Sequence, residues 1–166
     1  HILRDAMPDR FYQVGMAELA LIGAATGLAQ EGFVPFASTY GVFAARRGVY
    51  DFLALDVAEA NLNVNVVCAL PGLTTGYGPS HQATDDLAIF RAMPNLVVVD
   101  ACDATDIQQA VPQLAAHPGP TYMRVLRGKV PVVLDEYGYE FELGKAKVLR
   151  DGNDVLFISP GLMTER

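Results

Sequence analysis

Residues 63–93 read NVNVVCALPGLTTGYGPSHQATDDLAIFRAM. The opening run, NVNVVCAL, is apolar and β-branched almost throughout, which predicts a strand buried on both faces. The middle, PGLTTGYGPSHQ, is rich in Gly, Pro, Ser and Thr and reads as a loop at the strand's carboxyl end. The last part, ATDDLAIFRAM, reads as a helix, and Thr84, Asp85 and Asp86 suit its start, where capping oxygens and negative charge are favoured. One histidine, His81, stands in that loop between small residues.

The same alternation runs outward in both directions. FVPFAST (33–39), NLVVVDA (95–101) and TYMRVL (121–126) are further short apolar runs of strand character. Helical segments are expected over residues 16–30, about 42–60, about 84–93 and about 104–116, with Gly32 ending the first and Asp103 capping the last. Strands and helices alternating at this spacing predict βαβ crossovers: an α/β fold with a parallel sheet and helices on both faces. After Gly128 the composition shifts to prolines, acids and aromatics. The expected organisation is an α/β domain over 1–130, a connecting arm over 131–153, and the truncated start of a further α/β domain over 154–166. DVLFIS (154–159) would be the first strand of that further domain, so the chain reads as part of a larger subunit.

Composition narrows the function. The chain has 166 residues, 51% of them hydrophobic, and a net charge of −7. That balance argues against a nucleic-acid-binding surface. No apolar run approaches the roughly 20 residues that a membrane helix needs. The two cysteines, Cys68 and Cys102, form no CxxC or metal-type spacing. A reduced compartment, the cytoplasm, is the expected home. His81 has no Cys, His or paired carboxylate near it at ligand spacing, so no metal site is expected here.

Several residues stand where chemistry is done in parallel α/β folds, outside the carboxyl ends of the strands. Tyr40 and Phe43 follow the strand at 33–39, His81 and Tyr77 lie in the glycine-rich loop, and Arg124 and Arg127 flank the end of TYMRVL. Each has a plain structural reading as well: core aromatics, a turn histidine bonded to its own loop, surface salt bridges. Arg46 and Arg47, judged singly, read as solvated charges. Glu18 is the only charge between Arg10 and Glu31, in a helix apolar almost all round and therefore expected to be buried. A carboxylate there either complements the helix amino terminus or serves as an acid–base or ligand-binding group in a dry pocket.

As a set, RFYQVGMAEL, PFASTYGVF, GYGPSHQATDDLAIFRAMPNLVVVDACDATD and GPTYMRVLRG resemble the pyrimidine-binding domain of the transketolase family, over roughly residues 8–130. Deoxyxylulose-phosphate synthases share this domain. The separate C-terminal subunit of two-subunit transketolases is the nearest in character. The resemblance implies thiamine diphosphate (ThDP) and Mg²⁺. Glu18 would hydrogen-bond N1′ of the aminopyrimidine and so activate the cofactor to transfer a two-carbon ketol unit between sugar phosphates. Tyr40 and Phe43 would pack on the pyrimidine, His81 would face the reacting sugar carbons with Tyr77 near it, and Arg127 would hold the sugar's phosphate. The diphosphate and Mg²⁺ would belong to a partner subunit, since the family's metal-binding motif is absent from this chain. A homodimer through this domain is the expected assembly.

The sequence also departs from the family pattern. Leu19 follows Glu18 where the family has Gln, and Tyr77 stands where ordinary transketolases carry an Asp that contacts a substrate hydroxyl. Two other readings stay open at this level. One is the β-type subunit of a 2-oxoacid dehydrogenase E1, which would use the same glutamate. The other is a non-catalytic partner with a decayed ThDP pocket.

Overall fold

The computed structural model describes residues 2–46 and 48–166. Arg47, read above with Arg46 as a solvated charge, lies outside the described residues. After a short helix α1 (Ile2–Ala6), the chain forms α2 (Glu18–Gln30), strand β1 (Phe36–Tyr40) and the brief helices α3 (Gly41–Ala44) and α4 (Val49–Asp51). The last of these runs into a π-helical stretch, Phe52–Glu59. Then come β2 (Asn65–Ala69), α5 (Asp86–Arg91), β3 (Val97–Asp100), α6 (Ala104–Ala116) and β4 (Thr121–Val125). Among the described residues no helix is long and apolar enough to cross a membrane.

The four strands form one parallel sheet in the order β1-β2-β4-β3. Side chains alternate between its faces, as the strand period of two requires. Ala37, Val66, Cys68 and Tyr122 point to one side and pack with α2, the π-helical stretch and α5. Val67, Val97, Val99, Met123 and Val125 point to the other and pack with α6 and with Phe141 and Leu143. The sheet is thus an α/β layer structure with helices on both faces, and the strands match the β-branched runs read from sequence.

The helices depart from expectation in three places. The segment expected as one helix over 42–60 is broken after Ala44, and Gly48 sits at φ 77° in the left-handed region before the chain turns helical again. The helix expected over 84–93 is only Asp86–Arg91. And α2 is not buried all round: Ile22, Ala25 and Thr26 face the core, while Leu19 is 44% exposed. Its apolar outer face has no cover among the described residues.

The first part of the C-terminal tract is tied down by one carboxylate. Asp103 caps α6 by accepting from the amides of Thr105 (2.9 Å) and Asp106 (3.2 Å). Its other oxygen accepts from Val133 (2.8 Å) and Leu134 (3.0 Å), which ties the segment after β4 to the start of α6. Further along, two glutamine amides one helical turn apart pair with backbone as a neighbouring strand would. Gln109 bonds Tyr139 O and Phe141 N, and Gln113 bonds Phe141 O and Leu143 N. The strand expected over 154–159 is not formed; Val155 to Ile158 are between 68% and 86% exposed. An apolar β-branched run becomes a strand only when a neighbour takes its backbone groups, and no described segment does so.

Burial opposes the ionised form of Asp103, but its four backbone amides outweigh that and hold the carboxyl below the usual aspartate range. A lowered value means stability that is present above about pH 4 and drains away as pH falls through the folded-state value. Asp103→Ala is therefore expected to destabilise the protein by at least about 2 kcal/mol at pH 7. In urea titrations the gap from wild type should shrink below about pH 4; a gap unchanged by pH would contradict this role.

Candidate functional site

The carboxyl ends of the strands line up along one edge. Tyr40 is in register with Ala69, Ala69 with Val125, and Asp100 with Arg124. Everything that follows a strand end is therefore delivered to the same edge of the sheet, and so are the candidates named from sequence.

Tyr40 ends β1 and Phe43 lies in α3, with ring centroids 5.6 Å apart. Their approach to the neighbouring loop depends on Gly41 between them. A Cβ there would meet Tyr122 Oη at 2.9 Å and Ala83 Cβ at 3.0 Å, so only glycine fits. After β2 the chain passes through Leu70 at φ 62°, Gly72 at φ 56° and Gly78 at φ 77°. A leucine in the left-handed region is a strained residue at the root of a loop. The loop is held by its own bonds: Tyr77 N to Thr75 Oγ1, His81 N to Gly78 O, and Gln82 Nε2 to Thr75 O.

His81 stands at the centre of the aromatic group. Its ring lies 5.7 Å from Tyr40, 5.3 Å from Phe43 and 5.4 Å from Tyr77. Its Nδ1 is 2.9 Å from Ser80 Oγ, the local loop bond that a turn histidine would make. Nε2 has no hydrogen-bond partner among the described residues. Arg127 is exposed, and its Nη1 donates to Tyr40 Oη at 3.4 Å. Glu18 opens α2 and accepts from Thr39 Oγ1 at 3.5 Å, which places it beside the end of β1. The structure therefore brings Glu18, Tyr40, Phe43, Tyr77, His81 and Arg127 to one edge. Glu18 is half-buried rather than enclosed in a dry pocket, because the outer side of α2 is open.

Arg46 is not simply solvated. Its Nη2 donates to both carboxylate oxygens of Asp85 at 2.9 Å, pinning the turn after α3 to the start of α5. Arg124, weighed above as a surface charge, is instead buried between Asp86 and Asp100. The sequence did hold the signal: Arg124 shares strand parity with the core residue Tyr122, two positions away, so it points to the same helix-covered face. The cysteines are not ready nucleophiles: burial pushes the Cys68 thiol well up and that of Cys102 up to about 11.

Comparison with known proteins bears on this arrangement. The family model for the transketolase pyrimidine-binding domain matches residues 1–132. An uncharacterised transketolase-family protein of Sinorhizobium fredii is 66% identical over the whole chain, which covers 48% of that protein. A 6-deoxy-6-sulfo-D-fructose transketolase subunit of a Clostridium species is 42% identical over 158 residues, 95% of this chain and 48% of its own. A solved split-gene transketolase, described as an inactive β4 tetramer, superposes with a TM-score of 0.88 at 37% identity, covering 98% of this chain and 52% of that one. The chain spans about half the length of these relatives.

Proposed function

The chain belongs to the transketolase family, as its pyrimidine-binding domain, and we propose from that premise that it is part of a ThDP-dependent transketolase subunit. The observation that carries this reading is the meeting of Glu18, the Tyr40–Phe43–Tyr77–His81 ring group and Arg127 at one sheet edge.

The donor set fits the cofactor's aminopyrimidine. Tyr40 and Phe43 offer aromatic surface to a flat ring, and Glu18 offers a carboxylate whose hydrogen bond from Thr39 is long enough to leave it free for a stronger one. When bound, ThDP supplies the nucleophilic carbon that carries a two-carbon unit. Glu18 holds the proton shared with the pyrimidine nitrogen. The Ser80 hydroxyl occupies Nδ1 of His81, which leaves Nε2 as the ring atom available to a substrate oxygen. Tyr77 stands beside His81 in place of the family's aspartate and shapes that end of the site. Arg127 bonds only Tyr40 among the described residues and has donors left for an anionic end group on the sugar. Phosphate is the proposed group; the Clostridium relative is named for a sulfonated sugar.

Among the described residues no three His, Cys, Asp or Glu side chains gather to seat a metal ion. We assign Mg²⁺ and the diphosphate to a partner subunit. The half-open site and the uncovered face of α2 favour burial between subunits, in a two-fold dimer of this domain joined by the diphosphate-binding chain. The tract after residue 130 would then be an arm leading to a further domain, in a cytoplasmic enzyme.

Two substitutions test the assignment in the full-length protein assayed with its partner. Glu18→Gln keeps shape and removes the carboxylate; turnover at saturating ThDP should fall at least roughly a hundredfold with the fold intact by circular dichroism. A near wild-type rate would show that Glu18 has another role. Arg127→Ala should weaken phosphorylated or sulfonated substrates by about 1.5–3 kcal/mol and leave uncharged sugars almost unaffected. Equal losses for charged and uncharged sugars would return Arg127 to a structural role.

A further inference from the structure

Beneath the loop that presents His81 lies a charged cluster that no step above uses. Arg124, next to the end of β4, is 8% exposed. Its Nη1 donates to Asp100 Oδ2 at 2.8 Å. Its Nε lies 3.1 Å from Asp86 Oδ2, within ion-pair distance but not aligned as a hydrogen bond. Its Nη2 reaches the carbonyl of Ala83 at 3.4 Å. The same Asp86 oxygen accepts from Tyr122 Oη at 2.6 Å.

These contacts run to three separate segments: the last residue of β3, the first turn of α5, and the residue that closes the 72–82 loop. Ala83 O is also the point where the two ends of that loop meet, since it accepts from Gly72 N at 2.7 Å and Ala83 bridges to Pro71. A Cβ on Gly72 would lie 4.0 Å from Arg124 Nη2, so the guanidinium is next to both loop ends. A buried guanidinium between two carboxylates is poor evidence of stability, because desolvation offsets much of the attraction. Its planar fork, however, fixes directions. With one corner hydrogen-bonded to Asp100 and the Nε side held against Asp86 by charge, the remaining nitrogen is aimed at one carbonyl.

We propose that Arg124 is a positioning residue: its guanidinium, gripped by Asp86 and Asp100, closes the base of the 72–82 loop at the Ala83 carbonyl and so sets where His81 stands beside Tyr40 and Phe43. The effect on activity rests on the substrate-side role assigned to His81; the effect on the loop does not.

The test is Arg124→Lys in the full-length protein with its diphosphate-binding partner. Lysine keeps the positive charge between the carboxylates, but one ammonium cannot span three acceptors. Hydrogen exchange over residues 72–83 should accelerate at least about tenfold while the β2 and β4 amides keep their protection. Turnover should fall about ten- to a hundredfold, as expected for a misplaced group. KM for the charged sugar should change little, since Arg127 is untouched. A second variant, Arg124→Met with Asp86→Asn and Asp100→Asn, removes all three charges together and should loosen the same loop. Faster exchange confined to the loop in either variant supports the clamp; if turnover then stays at the wild-type level, it is the role of His81 that fails. Unchanged loop exchange, exchange rising equally in loop and strands, or failure of both variants to fold would overturn the proposal.

Discussion

Asp86 is a carboxylate only 1% exposed, in the first turn of a six-residue helix, and the site edge is assembled around the donors it must have. A buried charge persists only where it is paired and hydrogen-bonded. Tyr122 supplies a short hydrogen bond from β4, and Arg124 supplies charge from two residues further along the same strand. Burial and the neighbouring charges keep the Tyr122 phenol protonated and hence a donor. Because Tyr122 is locked in this way, its hydroxyl is a fixed wall against which the chain after β1 must pass without a side chain. Gly41 is the result, and Tyr40 and Phe43 take their places on either side of it.

The parallel sheet does the rest. Strands that all run one way bring their following loops to one edge, and a helix crossover between each pair leaves that edge clear of the covering layers. Glu18 reaches the same edge from the opposite direction, as the first residue of a helix whose amino terminus lies beside Thr39. Aromatic surface, an acid, an imidazole and a guanidinium are thus collected from four stretches of chain.

Much of this was legible in the sequence, for physical reasons. The strands declared themselves because buried parallel strands are β-branched nearly throughout, and Asp103 because an acid ahead of a helix has amides to meet. The edge residues could be grouped because strand ends in this architecture share a side. What failed were inferences that need tertiary knowledge. Arg124 was weighed as a surface charge because its partners Asp86 and Asp100 come from other segments. The helix over 42–60 looked continuous because Gly48 gives no sign from composition alone that it turns left-handed. The apolar character of α2 was read as complete burial, and DVLFIS as a strand, although both expectations need surfaces that the described residues do not supply.

The uncovered face of α2 and a Glu18 half open to solvent support the proposal that a diphosphate-binding subunit completes this site. The most direct measurement is calorimetric titration of ThDP with Mg²⁺ into the full-length protein, alone and mixed with the diphosphate-binding subunit. The account predicts weak or undetectable binding alone, and tight, Mg²⁺-dependent binding once the two are combined. Tight binding to the protein without its partner would contradict it.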